Sequence, residues 1–153
     1  MPYTTYSLDT ILENEHFPAL TVQELLGLTA KAIGIKIAWG MIPGDKPFIC
    51  GLKKSAEPTY WNPIIDDEDA RRLGTKLETL FRLGIVSRED FRERHQRLLD
   101  SNVDGASATR LAIVLTVVSM QMALDNYRMR QHLIHDKKWH NKEWSGPLGL
   151  PYA

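Results

Sequence analysis

Hydrophobic side chains recur every three to four residues along several stretches of this chain, which is the spacing of a helix with one buried face. The stretch 21–33 begins with Thr21 and Glu24 in the capping-box arrangement, and Gly34 provides a stop after it. A helix is therefore predicted over 21–33. A fainter pattern at 8–15 predicts a short helix inside an otherwise irregular N-terminal arm.

Between residues 35 and 53 the period changes from helical to alternating, which is typical of strands with one buried face. Two runs of alternating apolar positions are present: Ile35, Ile37, Trp39 and Met41, then Phe48, Cys50 and Leu52. The residues Pro43, Gly44 and Asp45 separate the runs and favour a turn. The pattern predicts a β-hairpin over 35–53.

The sequence Trp61-Asn62-Pro63, followed by the four acidic residues 66–69, marks a boundary between a loop and a helix. Pro63 disfavours helical backbone at the residue before it. Acidic side chains stabilise the N-terminal end of a helix, where backbone N–H groups are free. A helix is therefore predicted from about residue 67 to residue 82.

Ser87 can cap a further helix, which we expect to end near Asp100. The short apolar segment 83–86 has two interpretations. It can form a third strand, because Ile and Val favour sheets, or a tight turn between two helices. The turn is preferred because polar residues dominate the sequence after Ser87.

The longest predicted helix covers residues 108–130 and is apolar over most of its circumference, which is typical of a core helix or an oligomer interface. A stripe at three-to-four spacing is formed by Leu111, Leu115, Val118 and Met122. This stripe is compatible with a homodimer through the 108–130 helix, and equally with packing in the core. The apolar run 111–124 is interrupted by polar residues and is interpreted as too short to span a membrane.

These elements together predict an α+β fold. A short antiparallel sheet, the hairpin 35–53, is expected to be flanked by helices, with the long apolar helix near the C-terminus. The expected domain covers residues 1–136. Residues 137–153 are expected to form an extended tail rich in basic and aromatic side chains.

Composition narrows the functional classes. The formal net charge of zero argues against a surface built as a whole for nucleic acid or anionic lipid. The single cysteine, Cys50, excludes an internal disulfide and a cysteine-based zinc cluster. No signal-peptide pattern occurs at the N-terminus, so we expect a cytoplasmic protein without a membrane partner.

Motifs of catalysis are also missing from the sequence. It contains neither a Gly-x-Ser-x-Gly elbow nor a phosphate-binding glycine loop. An active site assembled from distant residues would leave no such local motif. We expect a protein that is not an enzyme and that needs no cofactor.

Three segments of the chain resemble a known family. They are Glu24-Leu25-Leu26 with Ala30-Lys31-Ala32, then Trp61-Asn62-Pro63 with the acidic helix start Asp66 to Leu73, then Ala108 to Ile113. In this order they are similar to the phage ABA sandwich domain, a family of small phage and prophage proteins of unknown function. The resemblance implies a phage setting and a helix–sheet–helix layering. It implies no catalytic residues, and the helical sequence 87–100 departs from the family, which tends to continue with strand.

The segment 128–142 is the sharpest electrostatic feature of the chain, since it contains five Lys or Arg residues and Trp139 against one acidic residue, Asp136. The partner-binding residues that we predict are Arg128, Arg130, Lys137, Lys138, Trp139 and Trp144. Arg and Trp are frequent anchors of protein interfaces, so a host or phage protein is the expected partner. For the segment itself, basic side chains that complement a helix C-terminus are the leading structural interpretation, and single-stranded nucleic acid is a further alternative to the protein partner.

Three further groups of residues are candidate sites. His132, His135 and His140 can be interpreted as zinc ligands or as solvated histidines, and the second reading is preferred because no His-Glu-x-x-His arrangement is present. The acidic residues 66–69 can be interpreted as cation ligands, but helix capping explains them and no metal is predicted. Trp39 and Trp61 are interpreted as core residues, with a nucleotide-binding pocket as the alternative.

The function predicted from the sequence is a non-enzymatic phage accessory protein that binds a host or phage protein. The alternatives are a nucleic-acid-binding phage regulator that uses the basic C-terminal segment, and a protein that sequesters a small ligand such as a nucleotide.

Overall fold

The structure is a computed structural model. It describes residues 7–17, 20–41, 49–53 and 59–145, and of these it describes the side chains of 7–17, 20–37 and 61–135. The elements are α1 Leu8–Asn14, α2 Val22–Ile33, β1 Ile37–Met41, β2 Ile49–Lys53, β3 Thr59–Trp61, α3 Asp67–Arg82, α4 Arg88–Asp100 and α5 Gly105–Ser145. The chain divides into two compact units, Met1–Gln121 and Met122–Ala153, called unit 1 and unit 2 below.

The predicted α+β fold class is wrong, because the fold is nearly all helical. In the described residues, the buried apolar side chains of unit 1 come from the five helices and their connections, and Trp61 is the one that a strand contributes. The strands are short, with five, five and three residues. The alternating pattern at 35–53 indicated local strands, but it carried no information on how small a part of the core they supply. The longest helix, α5, supplies the largest part instead.

The strands pair antiparallel in the order β1-β2-β3. Gly51 at the middle of β2 is opposite Trp39 on one side and Trp61 on the other. Trp61 ends β3 and is immediately followed by the turn that leads into α3.

The helix boundaries follow the predicted caps. Thr21 and Glu24 make both hydrogen bonds of a capping box at α2, which ends at Gly34 with a positive φ of 75°. Ser87 caps α4 by accepting a hydrogen bond from the backbone N–H of Asp90. Gly84, with φ 71°, turns the chain between α3 and α4, so the tight turn predicted at 83–86 is confirmed.

The predicted long apolar helix is confirmed, and it is longer than expected. Asp104 caps its start by accepting a hydrogen bond from the N–H of Ser107 at 3.1 Å. The helix continues to Ser145, so residues 137–145, predicted to be extended, are helical. Within unit 1, Leu111, Leu115 and Val118 are fully buried. In unit 1, the stripe that is compatible with a homodimer is therefore packed in the core.

Helix α5 is also long and apolar enough, over Gly105–His135, to cross a membrane by length and composition. The sequence interpretation of the run 111–124 as too short is corrected in this respect. However, 56% of the relevant 18-residue window is buried inside the protein, and the core helix of a soluble protein passes the same test. This single helix is weak evidence for a membrane span, and the cytoplasmic location remains a prediction.

Candidate functional site

The Trp61-Asn62-Pro63 motif forms a structural turn. Trp61 is fully buried, and the Asn62 side-chain oxygen accepts a hydrogen bond from the N–H of Ile64 at 3.1 Å. The Asn62 N–H donates to the Asp69 carboxylate at 3.0 Å, while the Asn62 carbonyl accepts from Asp66 at 2.9 Å. The side chain and backbone of Asn62 thus join β3 to the first turn of α3.

The four acidic residues that follow are used in contacts within the protein. Asp66 caps α3 by accepting from the N–H of Asp69 at 2.8 Å, and Glu68 pairs with Arg71 and Arg72. Asp67 accepts from Arg110 of α5 at 2.6 Å. These contacts agree with helix capping, the explanation preferred from the sequence.

Arg110 links α5 to the turn before α3. Its Nε atom donates to the Ile64 carbonyl at 2.9 Å, and its other nitrogens donate to Asp67 and to the Ser107 hydroxyl. One guanidinium therefore holds three groups from two parts of unit 1. A planar donor group with fixed geometry is suited to this role.

A second charged cluster in unit 1 was not predicted from the sequence. The side chain of Glu15, which follows α1, is 3% exposed, and its carboxylate accepts from Arg94 at 2.9 Å and from Arg97 at 2.7 Å. Arg94 also donates to the Thr116 hydroxyl of α5 at 3.1 Å. Burial acts to raise the pKa of the Glu15 carboxyl, but the hydrogen bonds from Arg97 and Arg94 outweigh it, and the pKa is lowered. The cluster fastens the N-terminal segment to α4 and α5.

In both clusters the carboxylates are paired with arginines, and the contacts join separate elements of unit 1; the Glu15 cluster keeps one positive charge in excess, because one carboxylate pairs with both Arg94 and Arg97. Neither leaves a nucleophile beside a base, the arrangement that covalent catalysis requires. Among the described residues, no group of three or more His, Cys, Asp or Glu could hold a metal ion. His132 and His135 are exposed, whereas the side chain of His140 lies outside the described residues.

The proposed Trp39–Trp61 pocket is not favoured by the structure. Trp61 is enclosed in the core, so neither face of its ring is open to a ligand. The side chain of Trp39 lies outside the described residues.

Unit 2 carries an exposed apolar surface that the sequence interpretation missed. Four large side chains on α5 are about half exposed or more: Tyr127 60%, Met129 64%, Leu133 59% and Ile134 49%. They lie within eight consecutive residues, together with the exposed side chains of Arg128 and Arg130. The available signal was that apolar residues continue past Met122 while polar residues become frequent, which is the pattern of a helix with one apolar face.

The predicted partner-binding residues are only partly described. Arg128 and Arg130 are exposed on α5, as a binding role requires. The side chains of Lys137, Lys138, Trp139 and Trp144 lie outside the described residues, so their role stays a prediction. The name docking face is used below for Tyr127, Met129, Arg130, Leu133 and Ile134.

Comparison of the chain with family models, curated proteins and solved structures finds no match. The resemblance to the phage ABA sandwich domain therefore remains a prediction that rests on the three sequence segments.

Proposed function

We infer that this chain is a non-enzymatic protein that acts by binding another protein through the docking face of α5. The observation that carries this inference is the exposure of four large apolar side chains within one short helical segment. Exposed apolar side chains that cluster on one surface mark interaction sites, whereas single ones are common and carry no meaning.

The chemistry of the docking face supports a protein partner. Tyr, Met and Arg are enriched in the buried centres of protein interfaces. Tyr127 and Ile134 are seven residues apart, and Met129 and Leu133 are four apart, so each pair lies along one side of the helix. Anchors at such spacings are how a helix fits into a groove of a partner protein.

The biological setting of the proposal follows from the resemblance. A phage or prophage accessory protein would act in the cytoplasm of a bacterial host and bind a host or phage protein there. This setting is independent of the docking face, which would serve the same purpose in any cell.

Nucleic acid is the competing ligand. The observation in its favour is that Arg128 and Arg130 are exposed and form no ion pair with a described residue. Binding to phosphates would weaken steeply as salt rises, because bound counterions are released. Removing the apolar side chains without changing the charge separates the two ligands. Binding to a protein should be lost, whereas binding to nucleic acid should remain.

The test is affinity capture of the tagged full-length chain from the cells that encode it. The test variant replaces Tyr127, Met129, Leu133 and Ile134 with glutamine, which is polar and favours helix. The matched control replaces Leu83 and Ile85 with glutamine, since these apolar side chains are equally exposed but lie between α3 and α4. Capture is quantified by mass spectrometry, with and without nuclease.

We expect a protein that is captured by the wild-type chain and by the control and lost with the test variant. Circular dichroism should show the same helix content for all three chains, because every replaced side chain is exposed. Capture that survives in the test variant, or that disappears on nuclease treatment, would contradict the proposed function.

A further inference from the structure

Arg130 occupies the centre of the docking face. Residues three or four positions away are its neighbours on the helix surface, and three of these four neighbours are the exposed apolar residues Tyr127, Leu133 and Ile134. Arg128, also exposed, lies about 160° away around the helix axis. The corresponding neighbours of Arg128 include the polar residues Asp125, Gln131 and His132. The two arginines therefore have opposite surroundings.

Arg130 forms no ion pair with a described residue, which sets it apart from the arginines of unit 1 other than Arg82. From Arg71 to Arg110, every arginine except Arg82 forms an ion pair with a carboxylate, and Arg82 donates to the Thr79 hydroxyl. Arg130 is thus an exposed cation that lies among apolar side chains and has no carboxylate partner among the described residues.

We propose that the partner is a protein whose apolar groove carries a carboxylate, Asp or Glu, that pairs with Arg130 when Tyr127, Leu133 and Ile134 fill the groove. This inference rests on the proposed function and adds the chemistry of the partner's surface. Charge complementarity is the reason for it: burying Arg130 with its apolar neighbours carries a large desolvation cost unless an anion neutralises the charge. A guanidinium–carboxylate pair also fixes the register of the helix in the groove.

The position of Arg130 disfavours two other partners for the docking face, a lipid surface and a second copy of this chain. A lipid surface takes an amphipathic helix with its charges on the face opposite the apolar side chains, whereas Arg130 is in the middle of them. A second copy of the chain, paired antiparallel with Tyr127 against Ile134 of that copy, would bring two Arg130 side chains together. Like charges at such a contact destabilise it.

The first experiment maps what lies opposite Arg130. A photo-crosslinking residue replaces Asn126, which is exposed and four positions before Arg130, in the full-length chain expressed in its native cells. The same residue in place of Arg128 is the control. We expect an adduct with one protein from position 126 and not from 128, and the crosslinked peptide should contain or adjoin an Asp or Glu among apolar residues.

The second experiment is a charge exchange with the protein so identified. Arg130→Glu should weaken binding about 30-fold or more, as for a buried interface anchor, whereas Arg128→Glu should change it less than about fivefold. Replacing the identified carboxylate of the partner with arginine should weaken wild-type binding and restore binding of the Arg130→Glu chain.

Several results would overturn the inference, and they differ from failure of the proposed function. An adduct between two copies of this chain would identify a homodimer. Equal losses from Arg130→Glu and Arg128→Glu, with binding to phosphatidylglycerol vesicles or oligo(dT), would identify an anionic surface. If a protein binds through the docking face with an affinity that does not depend on the charge of Arg130, only the proposed carboxylate of the partner is contradicted. If no protein depends on the docking face, the proposed function fails as well.

Discussion

The Nε atom of Arg97 lies 2.7 Å from the Oε2 atom of Glu15, and the two residues are 82 positions apart in the chain. With Arg94, this contact closes the N-terminal segment onto α4, because the Glu15 carboxylate is buried and both of its oxygens accept from arginine. Removing one member of a buried ion pair leaves the others without compensation, so this contact should affect stability strongly.

Replacing Glu15 with glutamine should therefore destabilise unit 1. We expect the free energy of unfolding to fall by about 2–3 kcal/mol, somewhat below the usual cost of breaking a buried pair because Arg97 is half exposed. Urea denaturation at neutral pH measures the loss. Glu13→Gln, at an exposed position of α1, is the matched control and should be nearly neutral. Equal stability of the two variants would show that the Glu15 cluster contributes little.

The same cluster should make stability depend on pH. Because folding lowers the pKa of Glu15 below its ordinary value of 4.5, the charged carboxylate contributes stability that is fully present above that value. This contribution is lost as the pH falls through the lowered pKa of the folded state. The stability difference between wild type and Glu15→Gln should consequently shrink on acidification below about pH 4.5. A difference that stays constant from neutral to acidic pH would contradict the lowered pKa.

The link made by Arg110 should be worth more than an exposed ion pair. Arg110→Met removes the donors to Ile64, Asp67 and Ser107 and should cost about 1–3 kcal/mol, because the buried Ile64 carbonyl loses a partner. Arg71→Met removes an exposed pair with Glu68 and should lower the stability much less, because solvent screens exposed charges. Thermal unfolding of the two variants compares these costs directly. Similar costs would mean that the link is no more than a surface contact.

Two glycines should respond to alanine with opposite signs. A Cβ atom at Gly74 would lie 3.6 Å from Ile113, an ordinary contact, so Gly74→Ala should stabilise α3 by about 0.5–1 kcal/mol. Gly84 has φ 71°, a conformation that alanine adopts at a cost of about 1 kcal/mol, so Gly84→Ala should destabilise. Chemical denaturation gives both signs, and a loss at Gly74 would show that the packing against Ile113 is tighter than the distance indicates.

The sequence predicted those features that depend on neighbouring residues. Thr21, Gly34 and Ser87 determine where helices begin and end through contacts only a few residues long, so those boundaries could be found without a structure. The tight turn at Gly84 was predictable for the same reason. The Glu15–Arg97 pair was not, because no local pattern connects residues so far apart in the chain.

The predictions failed for features that depend on how distant parts of the chain pack together. Alternation at 35–53 indicated strands but could not reveal that helices supply nearly all of the described core, so the fold class was wrong. The apolar circumference of α5 suggested a core helix or an interface, and it could not show that Leu111 is buried while Leu133 is exposed. The enclosed part of that helix belongs to unit 1 and the exposed docking face to unit 2, a division that the apolar pattern does not reveal.

The docking face can be tested most directly by hydroxyl-radical footprinting of the chain, free and in the complex purified from its native cells. Tyr127 and Met129 are exposed and have readily oxidised side chains. A docked partner should lower the oxidation rates of both residues several-fold while leaving those of Leu83 and Ile85 unchanged. If Tyr127 and Met129 oxidise equally fast in the free chain and in the complex, the partner binds elsewhere and the docking face is not its site.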